Sequence, residues 1–128
     1  MDNISNTLTK GEVTLIAQKD DFHIAPLRAD GKTFGTPTWI WAVEVNGELF
    51  VRAYNGVRSS WYQSAINQGA GKIKAAGLEK AVRFKPVSGS INEKIDEAYR
   101  QKYSSSPYLS AMISERTKAA TVQILAGH

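Results

Sequence analysis

TPTWIWAVEVNGELFVRAY, Thr36 to Tyr54, decides the fold. Two runs rich in β-branched and aromatic residues flank Asn46-Gly47, a pair that tolerates positive φ, so the stretch predicts a tight β-hairpin. In its first strand Trp39, Trp41 and Val43 share one face, and Ile40, Ala42 and Glu44 share the other. In the second, Leu49, Val51 and Ala53 oppose Phe50, Arg52 and Tyr54. Neither face is polar throughout. A hairpin apolar on both sides belongs to a closed barrel or lies at an interface.

Working outward, VTLIA (Val13 to Ala17) and FHIAPL read as short strands, with Asp20-Asp21 as a turn or bulge between them. ADGKTFG is a loop of turn residues. Beyond the hairpin, Ser60 to Gly69 reads as a short helix, with Ser60 and Gln63 as a capping box and Gly69 as its stop. GKIKAAG and KAVRFKPV form a second hairpin. Ser90 and Glu93 begin another helix, whose stripe is Ile91, Ile95, Ala98, Tyr99 and Lys102. SSSP breaks it, Pro107 opens a further short helix, and TKAATVQILAGH closes the chain as a strand. The expected fold is mainly β with helical insertions (α+β), a small antiparallel barrel of six or seven strands.

The length of 128 residues suits one domain over 1–128, with residues 1–10 as a flexible N-terminal arm. Cysteine is absent, which excludes a disulfide framework, a thiol nucleophile and thiolate metal sites. With His23 and His128 the only histidines, no metal site is expected. The opening MDNISNTLTKGEV has no apolar core of a signal peptide, so a cytoplasmic protein without membrane contact is expected. The net charge is +4, and Lys72, Lys74, Lys80, Arg83 and Lys85 face the single acid Glu79 between Gly71 and Lys85. Such a surplus can attract phosphate, nucleic acid or an acidic cofactor tail; the plainer reading, a solvated basic strand pair, is the favoured one. Nucleic acid is disfavoured, because this hairpin offers only Phe84 for stacking.

No dinucleotide fingerprint or phosphate loop is present, and GAGK at Gly69 to Lys72 lacks both the length and the following Ser/Thr. His23, alone in an apolar strand, reads as structural with one backbone partner. Glu93, Asp96 and Glu97 sit in the first turns of a helix and favour its dipole. YNGVRSSWYQS, Tyr54 to Ser64, carries more chemistry. A helix start presents free N–H groups, Ser59 and Ser60 add hydroxyls, and Arg58 and Arg52 add charge, a set adequate for one phosphate or carboxylate. The alternative is a plain one: Ser60 caps the helix, Trp61 is core and Arg58 is solvated.

GKTFGTPTWIWAVEVNGELFVRAYNGVRSSWYQSA resembles the core of the FMN-binding split-barrel superfamily, near its deazaflavin-dependent nitroreductase branch. EAYRQKYSSSPYL and KAATVQIL resemble the domain-of-unknown-function family 2255 of the same superfamily, so the likeness runs from Gly11 to Leu125. It implies a six-stranded split β-barrel, a homodimer with clefts at the interface, and FMN or deazaflavin as cofactor for hydride-transferring oxidoreduction. Carried over, Thr36, Pro37, Thr38 and Trp39 flank the ring. Lys32, Arg52, Tyr54, Arg58, Ser59 and Ser60 are candidates for the phosphate and ribityl tail, and Trp61 packs beside it. No catalytic residue is assigned. FMN oxidases carry a cation where this chain has TWIWAVEV, and no cation lies between Thr33 and Arg52. Deazaflavin therefore stays open, as does a non-enzymatic binding or structural module with a degenerate cleft.

Overall fold

In the computed structural model, which describes residues 5–127, the expected hairpin is present. β3 (Ala42–Val45) pairs with β4 (Glu48–Arg52), and Asn46 and Gly47 turn between them at φ 55° and 80°. The same stretch departs from expectation upstream. Its first strand is broken at Ile40-Trp41, leaving a short β2 (Thr38–Trp39) ahead of β3. That break shapes the molecule. The remaining strands are β1 (His23–Pro26), β5 (Ala70–Ala75), β6 (Leu78–Pro86) and β7 (Thr121–Ala126). Every pairing is antiparallel, in the order β2-β1-β5-β6-β7-β4-β3.

The two outermost strands, β2 and β3, are therefore neighbours in sequence. Three Cα steps from Trp39 to Ala42 reach at most about 11 Å, whereas a flat seven-stranded sheet would separate its edges by about 29 Å. The sheet must curl until its edges meet, and the result is a curled antiparallel half-barrel of seven strands where the family resemblance implied six. Five helices complete an α+β architecture.

One helix replaces a predicted strand. VTLIA lies inside α1 (Lys10–Gln18). Thr9 accepts from the Glu12 backbone N–H at 3.1 Å and Glu12 accepts from that of Thr9 at 2.9 Å, a complete capping box. Val13 and Ile16, three residues apart, both turn into the core. Of the arm expected over residues 1–10, residues 1–4 lie outside the described residues. Ser5 bridges Lys80, Asn6 accepts from the Gly127 N–H, and Lys10 is already helical. His128 also lies outside the described residues.

α2 (Ser60–Gln68) ends as expected at left-handed Gly69. Its predicted capping box does not form: Ser59 is the N-cap, makes no side-chain cap bond, and accepts from the Gln63 N–H through its backbone carbonyl. Ser90 likewise starts α3 (Ile91–Lys102) without a side-chain cap. After the SSSP break come two short helices, α4 (Leu109–Met112) and α5 (Glu115–Lys118).

Two cores explain the two-sided hairpin. Leu49, Val51 and Ala53 face the inside of the curl with Ile24, Ile73, Val122, Trp61 and α1. Trp41, Val43, Val45 and Phe50 face outward, against Ile95, Tyr99 and Tyr103 of the α3 segment and Met112. The outer face of the hairpin is thus covered by the chain's own helix.

Candidate functional site

Strand alternation carries Arg52 to the outward face of β4, under α3, where its side chain is fully buried at 0% exposure. A guanidinium has five N–H donors and cannot lose its charge in a protein, so burial demands a partner for each. All five are matched. Nε donates to Thr121 Oγ1 at 3.0 Å, one terminal nitrogen to Asp96 Oδ1 at 2.5 Å and the Met112 carbonyl at 3.1 Å. The other terminal nitrogen donates to the Asn92 carbonyl at 3.3 Å and to Asn92 Oδ1 at 2.9 Å. Asp96 also pairs with Lys118 at 3.1 Å. Arg52, expected as a phosphate ligand, is the centre of a polar clamp that joins β4, α3, α4 and β7. It has no N–H left for an external anion.

Above this clamp lies an apolar cleft of about 340 Å³, lined by Trp39, Ile40, Trp41, Arg52, Tyr54, Tyr108 and Met112. The break between β2 and β3 places two tryptophans on its wall. Trp41 is held rigidly, stacked on Tyr103 with centroids 3.8 Å apart and planes 5° from parallel. Trp39 is 50% exposed and is oriented by its indole N–H, which donates to the Asp20 carbonyl at 2.9 Å. Tyr54 and Tyr108, 44% and 58% exposed, meet edge to face at 6.1 Å. Arg116 lies against Tyr54, with Nε donating to the Tyr54 carbonyl at 3.0 Å and Cζ 5.3 Å from the ring centroid.

Of the residues singled out in the sequence, the structure brings Trp39, Arg52 and Tyr54 together at this cleft. Thr36, Pro37 and Thr38 are exposed on the approach to Trp39, and Pro37 borders a different hollow with Asp21, His23 and Lys74. Lys32 is exposed in a loop organised by Asp30, whose carboxyl is drawn down to about 2 by the N–H groups of Lys32 and Thr33 and the Thr33 hydroxyl. Arg58 is exposed in the 3-10 turn Gly56–Arg58, Ser60 is exposed at the start of α2, and Ser59 and Trp61 are buried. None of these four lines the cleft. Tyr108, Met112 and Arg116, which sequence reasoning passed over, come from the segment after SSSP. Its only signal was an aromatic following a proline.

Among the described residues, two of the five cations of the basic hairpin are paired with carboxylates. Lys72 pairs with Glu79 at 2.9 Å, buried Lys80 pairs with Glu12 at 2.6 Å, and Arg83 donates to the Ala126 carbonyl. GAGK is the start of β5, and His23 Nδ1 has the Asp21 carbonyl at 3.0 Å. Among the described residues no three acidic or histidine side chains gather to hold a metal, and no helix is long and apolar enough to cross a membrane.

A family model described as an uncharacterized protein conserved in bacteria (DUF2255) matches residues 12–124. The chain belongs to the DUF2255 family. No curated protein matches the sequence. The match runs from within α1 to within β7, so every residue of the cleft and the clamp falls inside the DUF2255 region.

Two features of this DUF2255 chain give direct tests. Gly56 has φ +70°, and a Cβ there would stand 2.7 Å from Arg116 Cγ and 3.0 Å from the Arg116 carbonyl. Gly56→Ala is expected to destabilise by about 1–2 kcal/mol, readable as a shifted midpoint in urea unfolding; an unchanged midpoint would mean that the turn relaxes both its left-handed φ and its contact with Arg116. The second is a pH dependence. Burial pushes the Lys102 amine down from 10.5 to about 8, against the opposing pull of Asp20 and Asp21, while Nζ donates to the Ala42 carbonyl at 2.6 Å. Between those values the unfolded chain binds the extra proton, so stability should rise with pH above about 8. Burial raises Tyr99 and Tyr103 above 10.0, the latter helped by its bond to Asp20, so their contribution is lost above that pH. Thermal midpoints should therefore peak near pH 10, and Lys102→Met should remove the rising limb and keep the falling one.

Proposed function

We propose that this DUF2255 chain is a split-barrel protein that binds a flavin- or deazaflavin-type ring in the Trp39–Tyr54–Tyr108 cleft and serves as an oxidoreductase. The observation that carries the reading is the cleft itself, an apolar hollow of about 340 Å³ walled by Trp39, Trp41, Tyr54 and Tyr108. Sites for small ligands begin at roughly 300 Å³ and combine apolar walls with few polar groups, so the space suits a planar ring and leaves its chain at the open rim. The residues fit the ring. They do not fit the phosphate grip expected of Arg52, Arg58, Ser59 and Ser60, because Arg52 is saturated and the other three stand outside the cleft.

A bound flavin or deazaflavin supplies hydride acceptance and donation. The chain's own residues do the rest. Trp39 and Tyr54 offer π-faces against which a ring can lie, Trp41 is immobilised by Tyr103, and Met112 fills the remaining wall. Among the described residues no carboxylate or histidine lines the hollow, so it favours a conjugated ring over a polar one. The reading includes a homodimer, in which a second copy covers the exposed Trp39, Tyr54 and Tyr108 of the cleft.

The absorbance spectrum of freshly purified protein tests this directly. A band between the near-ultraviolet and blue, or a raised melting temperature on adding FMN or deazaflavin, is the expected result. A colourless protein whose melting temperature neither compound moves contradicts it, and favours a non-enzymatic module with a degenerate cleft. The saturation of Arg52 is the observation on that side.

A further inference from the structure

We infer that Arg116 is the anion-contacting residue of the cleft, so that its ligand is a planar ring carrying a negatively charged group; this rests on the ring-binding reading above. Among the described residues the cleft's one charged lining residue is Arg52, and its guanidinium is matched by Asp96 and by the oxygens of Asn92, Met112 and Thr121. Among the described residues no carboxylate lines the walls to repel an anion. Arg116 lies against Tyr54, a residue of the cleft wall.

Three observations set Arg116 apart from a solvated surface arginine. Its Nε is fixed on the Tyr54 carbonyl, and its guanidinium lies over the Tyr54 ring. Its stem occupies space that any side chain at position 56 would fill. Among the described residues no acid pairs with it, although its neighbour Lys118 holds both Asp96 and Glu115. Held in place, exposed and unmatched at its terminal nitrogens, it is preorganised for a phosphate or carboxylate fork. Neither Arg116 nor Arg58 is part of the cleft wall itself, but Arg116 is fixed on the wall residue Tyr54, whereas Arg58, which the sequence offered for this role, has no comparable anchor.

Riboflavin and FMN share a ring and ribityl chain and differ in the phosphate, so the pair isolates the anion contact. Dissociation constants for both, and for their 5-deaza counterparts, are to be measured by fluorescence at low ionic strength on the full chain and on Arg116→Gln, Arg116→Lys and Arg58→Gln. The wild type should favour the phosphorylated member by roughly tenfold. Arg116→Gln should erase that preference while still binding riboflavin, which reports an intact cleft. Arg116→Lys should restore part of it, and Arg58→Gln should keep it whole. Equal affinities in the wild type, or a preference that survives Arg116→Gln or vanishes in Arg58→Gln, overturns the assignment and leaves the ring reading standing. Failure of all four compounds to bind the wild type overturns both.

Discussion

Asp96→Ala is expected to lower the unfolding free energy by about 3–5 kcal/mol, because it strips the counter-charge from a fully buried arginine. Asp96 Oδ1 is 2.5 Å from Arg52, whose side chain has no exposure, and Oδ2 holds Lys118 at 3.1 Å. Desolvating a guanidinium is costly, and among the described residues no second carboxylate is paired with Arg52. A domain of this size has roughly 5–15 kcal/mol of stability in all, so the variant should sit near the edge of folding. Equilibrium unfolding in urea, with tryptophan fluorescence as the signal, measures the loss. Arg52→Met combined with Asp96→Leu removes both charges and should recover part of it, leaving the Asn92 and Met112 carbonyls without their donor. A loss below about 1 kcal/mol in Asp96→Ala, the range of exposed ion pairs, would mean that water reaches the clamp. Because Arg52 supports the fold in this way, its substitution cannot serve as a clean probe of binding.

Trp39→Ala and Tyr54→Ala are the informative substitutions for the cleft. Each is expected to weaken ring binding by about 1–3 kcal/mol, the range for stacking a base or ring on one aromatic side chain. Their effect on stability should be small. Both side chains are about half exposed, and Trp39 contributes one hydrogen bond to the Asp20 carbonyl. Binding and folding therefore separate here, as they do not at Arg52. Fluorescence titration beside a urea melt of each variant reads the two quantities. Normal ring affinity in both single variants would place the ligand elsewhere.

Local chemistry made the hairpin and the second strand pair legible. Asn46-Gly47 sets positive φ in the first turn, and Gly69 ends α2 for the same reason. α1 was obscured because VTLIA is short and apolar, a length at which helix and strand periodicity coincide. The Thr9–Glu12 box was the deciding signal. The role of Arg52 was beyond local reading. Its partners Asn92, Asp96, Met112 and Thr121 lie 40, 44, 60 and 69 positions away, and one-dimensional spacing carries no trace of such a set. The same holds for the cleft. Trp39 and Tyr54 were visible as aromatics on adjoining runs, but Tyr108 and Arg116 reach them only through the fold of α4 and α5.

The central claim is that the aromatic cleft holds a flavin-type ring, and an equilibrium titration of the intact chain with FMN and with its deaza counterpart tests it most directly. The account predicts saturable binding of at least one, with quenching of Trp39 and Trp41 fluorescence and weakened binding in Trp39→Ala. Titration curves without saturation for both compounds, on protein whose urea melt shows it to be folded, would contradict it.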